Sequence, residues 1–409
     1  MSLHFNKSDN FNPPATVNVD YLGNVRPKPV GQGKDWGISA SLFDNKLVAT
    51  LNWFKSAQQN APAVNASTAT GRVARMDTSS FRSWAEYVVR IRSGENPADP
   101  LFANASARPL NGAQQDAIAA IMGVPYTWPA FANGGSINGT QENKAEGLAA
   151  QIIYNPLRNW NIKFTLGKQK STYDQVAPEI DDWLFGSNAV NPSGRLAFWQ
   201  AATAPDMPAL ADFRSTGRQL SLRNFWTGYG FNADALLENS TGLNPTWTSP
   251  AGFYDAAVGP EIAVAKALQG NQVPNERVWS YSVISTYAFQ TGKLKGLTVG
   301  GGIRWADRAL ASYYGDLAHP NSSNAVVSPD ITRPIYTPSE THYDAWIRYA
   351  TKIPKIFGDR INVTFQLNVY DLTHSKARLE AINFNFDGSP AGYRIIDPRR
   401  FAFTTTLDF

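Results

Sequence analysis

Cysteine is absent from the 409 residues of this chain. Without thiols the chain can contain no disulfide, no thiolate metal ligand and no cysteine nucleophile. Histidine is scarce as well, with four residues and no His-x-His or His-x3-His spacing: His4, His319, His342 and His374. Zinc sites usually draw histidines from such close spacings. The sequence therefore predicts neither a bound metal nor a cofactor.

Long hydrophobic runs and a signal peptide are also missing. Although 43% of the residues are hydrophobic, no stretch approaches the roughly 18 consecutive apolar residues of a membrane helix. The first residues contain no basic segment followed by an apolar core, which is the pattern of a signal peptide. For an exported protein, this predicts that the chain is a piece of a longer one. A net charge of +4 without a Lys/Arg run gives no indication of a nucleic-acid partner.

Signatures of catalysis are missing too. No serine, threonine or lysine stands in a recognisable nucleophile context. Glu179, Asp181 and Asp182 form a carboxylate cluster that could bind a hard cation through oxygen. Such runs more often begin a helix or lie in solvent, and nothing fixes the carboxylate separation that a glycosidase requires. The sequence predicts that the protein is not an enzyme.

Aromatic residues are abundant at 12% of the chain. Tyrosine and tryptophan gather where an apolar region meets water, as at a membrane interface. The last ten residues alternate strictly, and one face carries Phe401, Phe403, Thr405, Leu407 and Phe409. Amphipathic strands of about ten residues are the repeating unit of outer-membrane β-barrels.

The same period of two recurs along the chain. In 361–369, five apolar residues alternate with four polar ones without exception. In several segments the aromatic residues lie at a strand end and the aliphatic ones in the middle, as expected between two membrane interfaces. The predicted strands are the segment around Leu3 and Phe5, then 34–43, 47–56, 143–154, 159–171, 277–289, 297–308, 342–352, 359–371 and 400–409.

The connections between these strands alternate between very short and very long. The short ones are 44–45, 155–158, 290–296 and 353–358, and the long ones are 9–32, 57–142, 172–276, 309–341 and 372–398. Compact domains rarely contain loops beyond about 15 residues, whereas outer-membrane barrels combine short periplasmic turns with long extracellular loops. Within the long loops, 81–92, 111–122 and 261–268 read as short helices separated by local turns at the surface.

Together these patterns predict an all-β fold, an antiparallel transmembrane β-barrel with about ten strands in this chain, and the missing signal peptide indicates that the barrel is incomplete. Residues 1–409 are interpreted as a single partial domain whose long loops, 57–142 and 172–276, are extracellular and carry short helices.

Several stretches resemble the C-terminal barrel portion of TonB-dependent outer-membrane receptors. They are Val19-Asp20-Tyr21-Leu22-Gly23-Asn24, Gly33-Lys34-Asp35-Trp36-Gly37, Gly300-Gly301-Gly302-Ile303-Arg304-Trp305 and Leu367-Asn368-Val369-Tyr370-Asp371-Leu372. The resemblance covers nearly the whole chain. The hairpins and the stretch before the last strand carry most of its specificity.

The resemblance implies a ligand-gated importer in the outer membrane of a Gram-negative-type bacterium. A complete receptor of that family has a signal peptide, a TonB box, a plug domain and 22 strands, so this chain would supply about the last ten. The implied ligand is a large scarce nutrient, namely a siderophore, a corrinoid or an oligosaccharide. The implied partners are the TonB energy transducer through the missing plug segment, the barrel insertion machinery, membrane lipid and the ligand.

Residues predicted to face the lumen are the candidate contacts of the ligand or of the plug, and the sequence leaves these two roles open. They are Arg304, Asp344, Trp346, Arg348, Gln366 and Asn368. Within the last strand, the resemblance implies that Phe401, Phe403, Leu407 and Phe409 form an assembly signal.

Two alternatives remain open. A soluble, secreted all-β protein that binds glycans or has a structural role would cover Ile361, Phe365 and Val369 with a second sheet or a helix. A small porin would close its first strand onto its last.

Overall fold

The structure is a computed structural model that describes residues 1–11, 18–96, 99, 108–128, 137, 139–187, 190–207, 209–211, 219–221, 223–228, 249–315, 329–353 and 361–408. Its strands are β1 (Ser2–Phe11), β2 (Val30–Leu42), β3 (Leu47–Pro62), β4 (Thr140–Leu157), β5 (Trp160–Asp174), β6 (Ala209–Ala211), β7 (Gln219–Ser221), β8 (Trp279–Ala288), β9 (Leu297–Ala306), β10 (Leu310–Gly315), β11 (Pro329–Tyr336), β12 (Glu340–Ile353), β13 (Ile361–Tyr370), β14 (Arg378–Phe384), β15 (Pro390–Ile396) and β16 (Arg400–Asp408).

The helices lie between the strands, mostly in the two longest connections. They are α1 (Ser67–Arg75), α2 (Arg82–Arg92), α3 (Gly112–Met122), α4 (Pro178–Leu184), α5 (Arg195–Ala201), α6 (Phe225–Gly228), α7 (Pro250–Phe253) and α8 (Gly259–Ala267), with π-helical turns at Met76–Phe81 and Tyr254–Val258 and 3-10 turns at Val64–Ala66 and Gly292–Leu294. The three helices predicted from the sequence are thus confirmed. None of the helices in the described ranges is long and apolar enough to span a membrane.

Ten strands form one antiparallel sheet in the order β1-β2-β3-β4-β5-β8-β9-β12-β13-β16. Each strand pairs with the next one along this order, as expected when short turns join neighbours. β1 and β16 stand at opposite ends of the order, so the described residues form an open sheet. The predicted fold, an incomplete antiparallel sheet of ten strands, is confirmed. The six remaining strands form three separate hairpins within the long connections.

The strand register divides the sheet into two faces of opposite character. Successive side chains of a strand point to opposite faces, and directly paired residues share one. Ile347 pairs with Val299 and Leu367 on one face, which we name the apolar face. Arg348 pairs with Gln366 on the other, which we name the polar face.

Side chains of the apolar face are uncovered at the centre of the sheet. Ile347 and Tyr349 are each 43% exposed and Phe365 is 37% exposed. The main hydrophobic core includes none of these three residues. A soluble all-β protein would bury such a face under a second layer, and the described part of the chain provides no such layer here.

The hydrophobic core lies outside the sheet, in the two longest connections. Phe81 and Trp84 of the first connection and Trp183 and Trp199 of the second are at most 2% exposed and belong to one cluster. We call these packed helical segments, within 63–139 and 175–278, the helical cap. The sequence predicted short helices separated by local turns at the surface, and the structure packs those helices against one another in a buried core. The pattern along the sequence indicated each helix separately. Their joint burial was not predictable in this way, because it depends on contacts between the two long connections.

Asp77 is the polar centre of the helical cap. Its carboxylate is fully buried and accepts hydrogen bonds from Nε of Arg195 at 2.8 Å, from Nε1 of Trp199 at 2.9 Å and from Nε1 of Trp183 at 3.2 Å. The guanidinium of Arg195 also donates to the carbonyl oxygen of Met122 at 2.8 Å. A buried ion pair is tolerated when its remaining donors and acceptors are satisfied. Here these hydrogen bonds connect residues of the first long connection with residues of the second.

The segment that precedes β2 also packs against the helical cap. Tyr21 stacks on Trp183 with a centroid distance of 5.6 Å and donates its hydroxyl hydrogen to the carbonyl oxygen of Thr70 at 3.1 Å. Burial raises the pKa of the Tyr21 hydroxyl well above its ordinary value. Asp20 closes the adjoining turn by accepting from the backbone amide of Asn24 at 2.8 Å. This motif therefore attaches the connection before β2 to the helical cap.

We predict that Asp77→Ala selectively destabilises the helical cap. The substitution leaves the Arg195 guanidinium buried without its counter-ion, which costs about 3–5 kcal/mol. Hydrogen–deuterium exchange should show faster exchange in α2 and α5 and unchanged protection in the strands. Asp255→Ala, which removes an exposed acid from the other π-helical turn, is the control. Unchanged exchange of the cap in Asp77→Ala would contradict this account.

Candidate ligand-binding site

The structure places all six predicted lumen residues on the polar face of β9, β12 and β13. Within the sheet, the register pairs Trp346 with Asn368 and Arg348 with Gln366. It also pairs Gly302 with Asp344, and two residues farther along β9 lies Arg304. Their common placement agrees with the alternation in the sequence, and their role as contacts of ligand or plug stays a prediction.

Arg304 and Asp344 form an ion pair on this face. Nη2 of Arg304 lies 3.0 Å from Oδ2 of Asp344, while the Arg304 side chain is 56% exposed. An ion pair this exposed contributes little to stability. The second carboxylate oxygen of Asp344 accepts a hydrogen bond from the backbone amide of Asp371 at 3.1 Å. Asp344 therefore links the strand to the turn after β13, and much of the Arg304 guanidinium stays open to a ligand.

A second guanidinium lies deeper on the same face. The side chain of Arg348 is exposed and makes no hydrogen bond or ion pair with the residues that the structure describes. Nearby, Gln366 donates to Oδ1 of Asn368 at 2.8 Å. A Cβ at Gly300 would lie 2.2 Å from the ring of Trp346, so this glycine makes room for the indole. The face thus offers a flat aromatic surface between two arginines.

A polar cluster that sequence reasoning missed lies at the loop end of β12 and β13. We name His342, Asp371 and His374 the histidine–aspartate cluster. Nδ1 of His342 is hydrogen-bonded to Oδ1 of Asp371, and Nδ1 of His374 lies 4.0 Å from the same oxygen. Nδ1 of His374 is buried and has no hydrogen-bond partner among the described residues. The antiparallel pairing of β12 with β13 brings these residues together, and their separation in sequence concealed it.

The cluster contains donors that could hold a divalent cation, but not in its present arrangement. Its three ligand atoms lie within 4.8 Å of one another. Tetrahedral zinc with bonds of about 2.1 Å places ligand atoms about 3.4 Å apart. The hydrogen bond between His342 and Asp371 would also have to break. The present geometry is that of a hydrogen-bonded polar cluster, and the absence of a metal remains a prediction.

The turn after β13 holds this cluster in place. Asp371 has a φ of 54°, a left-handed conformation that costs a non-glycine residue about 1 kcal/mol or more. The backbone amide of Leu372 donates to the carbonyl oxygen of Tyr343 at 2.8 Å, and that of His374 donates to the carbonyl oxygen of Asp371 at 3.0 Å. The strained turn is therefore fixed by backbone contacts to β12 and by the side chain of Asp344.

A network of two arginines and two glutamates joins the β14–β15 hairpin to the same end of the sheet. Arg394 contacts Oε1 of Glu380 at 2.8 Å, and Arg277 lies 3.7 Å from the same oxygen. Both guanidiniums also contact Glu340 on β12. Because the four charges balance, this network is better suited to fixing the hairpin than to binding an ion.

The carboxylate cluster of 179–182 has structural partners. Glu179 accepts the backbone amide of Thr140 at 2.9 Å, and Asp181 pairs with Nζ of Lys266 at 2.7 Å. These two side chains therefore attach α4 to β4 and to α8. They form no shared cation site with the described residues.

The predicted assembly residues lie on the sheet edge. Phe401, Phe403 and Leu407 share the apolar face of β16 and are 66%, 67% and 49% exposed. Phe409 lies outside the described residues. Their function as an assembly signal stays a prediction.

Comparison with known proteins finds no matching protein-family profile and no matching curated protein. Among solved structures, the chain is similar to the ferripyoverdine receptor of the outer membrane of Pseudomonas aeruginosa, at 14% identity and a TM-score of 0.43, covering 98% of this chain and 30% of that one. It is also similar to the ferric-catecholate import receptor Fiu of E. coli K12 in its closed form, at 13% identity and a TM-score of 0.40, covering 98% and 32%. A third similar structure is BauA, the ferric preacinetobactin receptor of Acinetobacter baumannii, at 12% identity and a TM-score of 0.41, covering 100% of this chain and 34% of that one.

These solved proteins are receptors of the class that the sequence resembles. The chain spans about a third of the length of each. Among the described residues, the chain itself forms an open antiparallel sheet of ten strands, with a polar face on which the candidate site lies.

We predict that Asp344→Ala loosens the turn after β13. The substitution removes the acceptor of the Asp371 amide and the counter-ion of Arg304. Amide exchange across 371–374 should accelerate by about tenfold, as expected for losing a hydrogen bond to a charged group. Asp330→Ala, which removes a carboxylate that closes its own turn at Thr332, should leave this exchange unchanged. Equal exchange in both variants would contradict the linking role of Asp344.

Proposed function

We propose that the chain is the strand-forming part of a ligand-gated, TonB-dependent importer in the outer membrane of a Gram-negative-type bacterium. One observation carries the proposal. The ten-strand sheet has an uncovered apolar face opposite a face that bears arginines, an aspartate and amides. Lipid would cover the apolar face, and a lumen would hydrate the polar one. On the lipid side, each of those arginines would cost about 2–4 kcal/mol at mid-bilayer.

The same sheet argues against the two alternatives. A soluble glycan-binding or structural protein needs a second layer over Tyr349 and Phe365, and these side chains are uncovered by the described residues. A small porin needs β1 hydrogen-bonded along β16, and these strands stand at opposite ends of the order. An importer in which further strands meet both edges is consistent with the open sheet.

Within the three ligand classes, the polar face favours an anionic ligand. Arg304 keeps much of its guanidinium exposed beside Asp344, and Arg348 is exposed without a described partner. Guanidiniums bind carboxylates and other planar anions through paired hydrogen bonds. Ferric siderophore complexes with carboxylate or catecholate groups present several such oxygens. A neutral oligosaccharide presents none, and a corrinoid with a nucleotide loop presents a single phosphodiester. We therefore infer a ferric siderophore as the ligand.

The partners follow from the same proposal. TonB would act through a plug segment of the whole protein, and the insertion machinery would read the apolar face of β16 together with Phe409. Membrane lipid would cover the apolar face. We propose no enzymatic step and no nucleic-acid partner, because the described residues of the polar face offer groups suited to binding an anion and no nucleophile paired with a base.

We predict that the double substitution Arg304→Ala and Arg348→Ala weakens ligand binding in the whole protein. Each lost charge-assisted hydrogen bond costs about 1.5–3 kcal/mol, so the apparent affinity should fall at least about a hundredfold. The measurement is uptake of radioactive iron supplied as a panel of siderophores to iron-limited cells. Lys293→Ala and Lys295→Ala, which remove two charges from a short turn, form the matched control.

Membrane abundance must be equal in the two double variants for the comparison to count. Uptake in the arginine variant equal to that of the control would contradict an arginine contact with the ligand. If no siderophore depends on the protein for uptake, the inferred ligand class is wrong.

A further inference from the structure

Four lysines and one glutamate follow one another across five neighbouring strands on the apolar face. The register pairs Lys7 with Lys34, Lys34 with Lys55, Lys55 with Glu146, and Glu146 with Lys170. We name these four lysines, with Glu146, the lysine row. All five side chains are exposed. The row is therefore a charged stripe at the end of the apolar face that lies toward the long connections.

The charge of this row is largely uncompensated. Like charges directly opposite each other on adjacent strands destabilise a sheet, and Lys7, Lys34 and Lys55 form two such pairs. Nζ of Lys55 lies 3.2 Å from Glu146. For Lys7, Lys34 and Lys170, the described residues provide no carboxylate within ion-pair distance. The row therefore favours an anion from outside the chain.

An aromatic row lies directly beside it. Two residues closer to the short turns, Phe5 pairs with Trp36 and Trp36 pairs with Trp53. Farther along the same row, Nζ of Lys168 lies 5.1 Å from the ring centroid of Trp279. Tryptophan rows of this kind mark the headgroup level of a membrane. The lysine row thus lies just beyond that level, toward the long connections.

The distance along the strands agrees with this position. Lys55 is eight residues beyond Leu47, the first residue of β3. With a rise of about 3.3 Å per residue and a tilt of about 40°, this corresponds to about 20 Å along the membrane normal. The apolar band of such a barrel is about 25 Å tall. The row therefore lies near one boundary of the band.

A cavity accompanies the row. Its volume is about 490 Å³, and its lining includes Lys34, Lys55, Lys144, Glu146 and Lys170. Lys144 already contacts Asp174 at 2.5 Å and Glu142 at 3.1 Å. The ammonium groups of Lys34 and Lys170 can therefore turn toward a phosphate in this cavity, which is large enough for a lipid headgroup.

We propose that the lysine row binds the phosphate groups of an anionic lipid headgroup in the leaflet on the side of the long connections. This proposal rests on the proposed membrane location. A lipid fits better than a soluble anion because the adjoining aromatic and aliphatic rows would contact its acyl chains. Basic side chains at a membrane surface attract anionic headgroups, each contributing about fivefold to the binding constant.

The test uses the 409-residue chain in neutral detergent micelles, with bisphosphorylated lipid A as the probe. Enzymatically dephosphorylated lipid A and inorganic phosphate are the comparison ligands. Binding is measured by native mass spectrometry and by titration of tryptophan fluorescence. The test variant carries Lys7→Gln, Lys34→Gln and Lys170→Gln. The control variant carries Lys46→Gln, Lys293→Gln and Lys295→Gln, which remove the same charge at the short turns.

We expect the unmodified chain to bind lipid A at least about tenfold more tightly than its dephosphorylated form. The test variant should lose affinity by about a hundredfold and the control variant by less than threefold.

Equal losses in both variants, or no preference for the phosphorylated lipid, would overturn the proposal. Inorganic phosphate binding as tightly as lipid A would also overturn it, by indicating an ion site. Insertion of the same chain into lipid vesicles is measured alongside. Failure to insert refutes the proposed function, whereas insertion without phosphate preference refutes the lipid site alone.

Discussion

Strand register is the constraint on which the two faces, the candidate site and the lysine row all depend. In an antiparallel sheet, a slip of one residue moves every side chain of a strand to the opposite face. The short turns fix the register, as where Leu42 pairs with Leu47 across a turn with Asp44 in a left-handed conformation. A slip of β12 by one residue would put Arg348 on the apolar face, where lipid would penalise its charge. Burial energy in lipid and hydration of the lumen therefore select the same register.

The helical cap follows a different physical rule. Its stability comes from a water-excluding core and from the buried pair of Asp77 and Arg195, as in a soluble protein. The sheet has no such core, and its apolar side chains require a partner outside the described residues. The cap lies at the ends of the strands where the long connections leave. The Asp344 link and the turn at Asp371 lie at this same end of the sheet.

Sequence pattern predicted the strands well because a period of two with a polar and an apolar face is a local property. It predicted three helices for the same reason, each of them about two to three turns long. It could not predict the cap core, since Asp77 and Arg195 are distant in sequence and neither lies in a periodic pattern that indicates the other. The histidine–aspartate cluster was missed because His342 and His374 meet only through the pairing of β12 with β13. Placement of Arg304 and Asp344 on one face was predictable, whereas their ion pair and the Asp371 turn were not.

The central claim is that one face of this sheet meets lipid and the other meets water. Because the chain has no cysteine, single cysteines introduced along 343–349 of β12 can carry a nitroxide spin label without background. In lipid vesicles, the account predicts that oxygen collides most with labels at the odd positions and a water-soluble nickel chelate with those at the even positions. Uniform accessibility to the chelate, or the absence of a period of two, would contradict it.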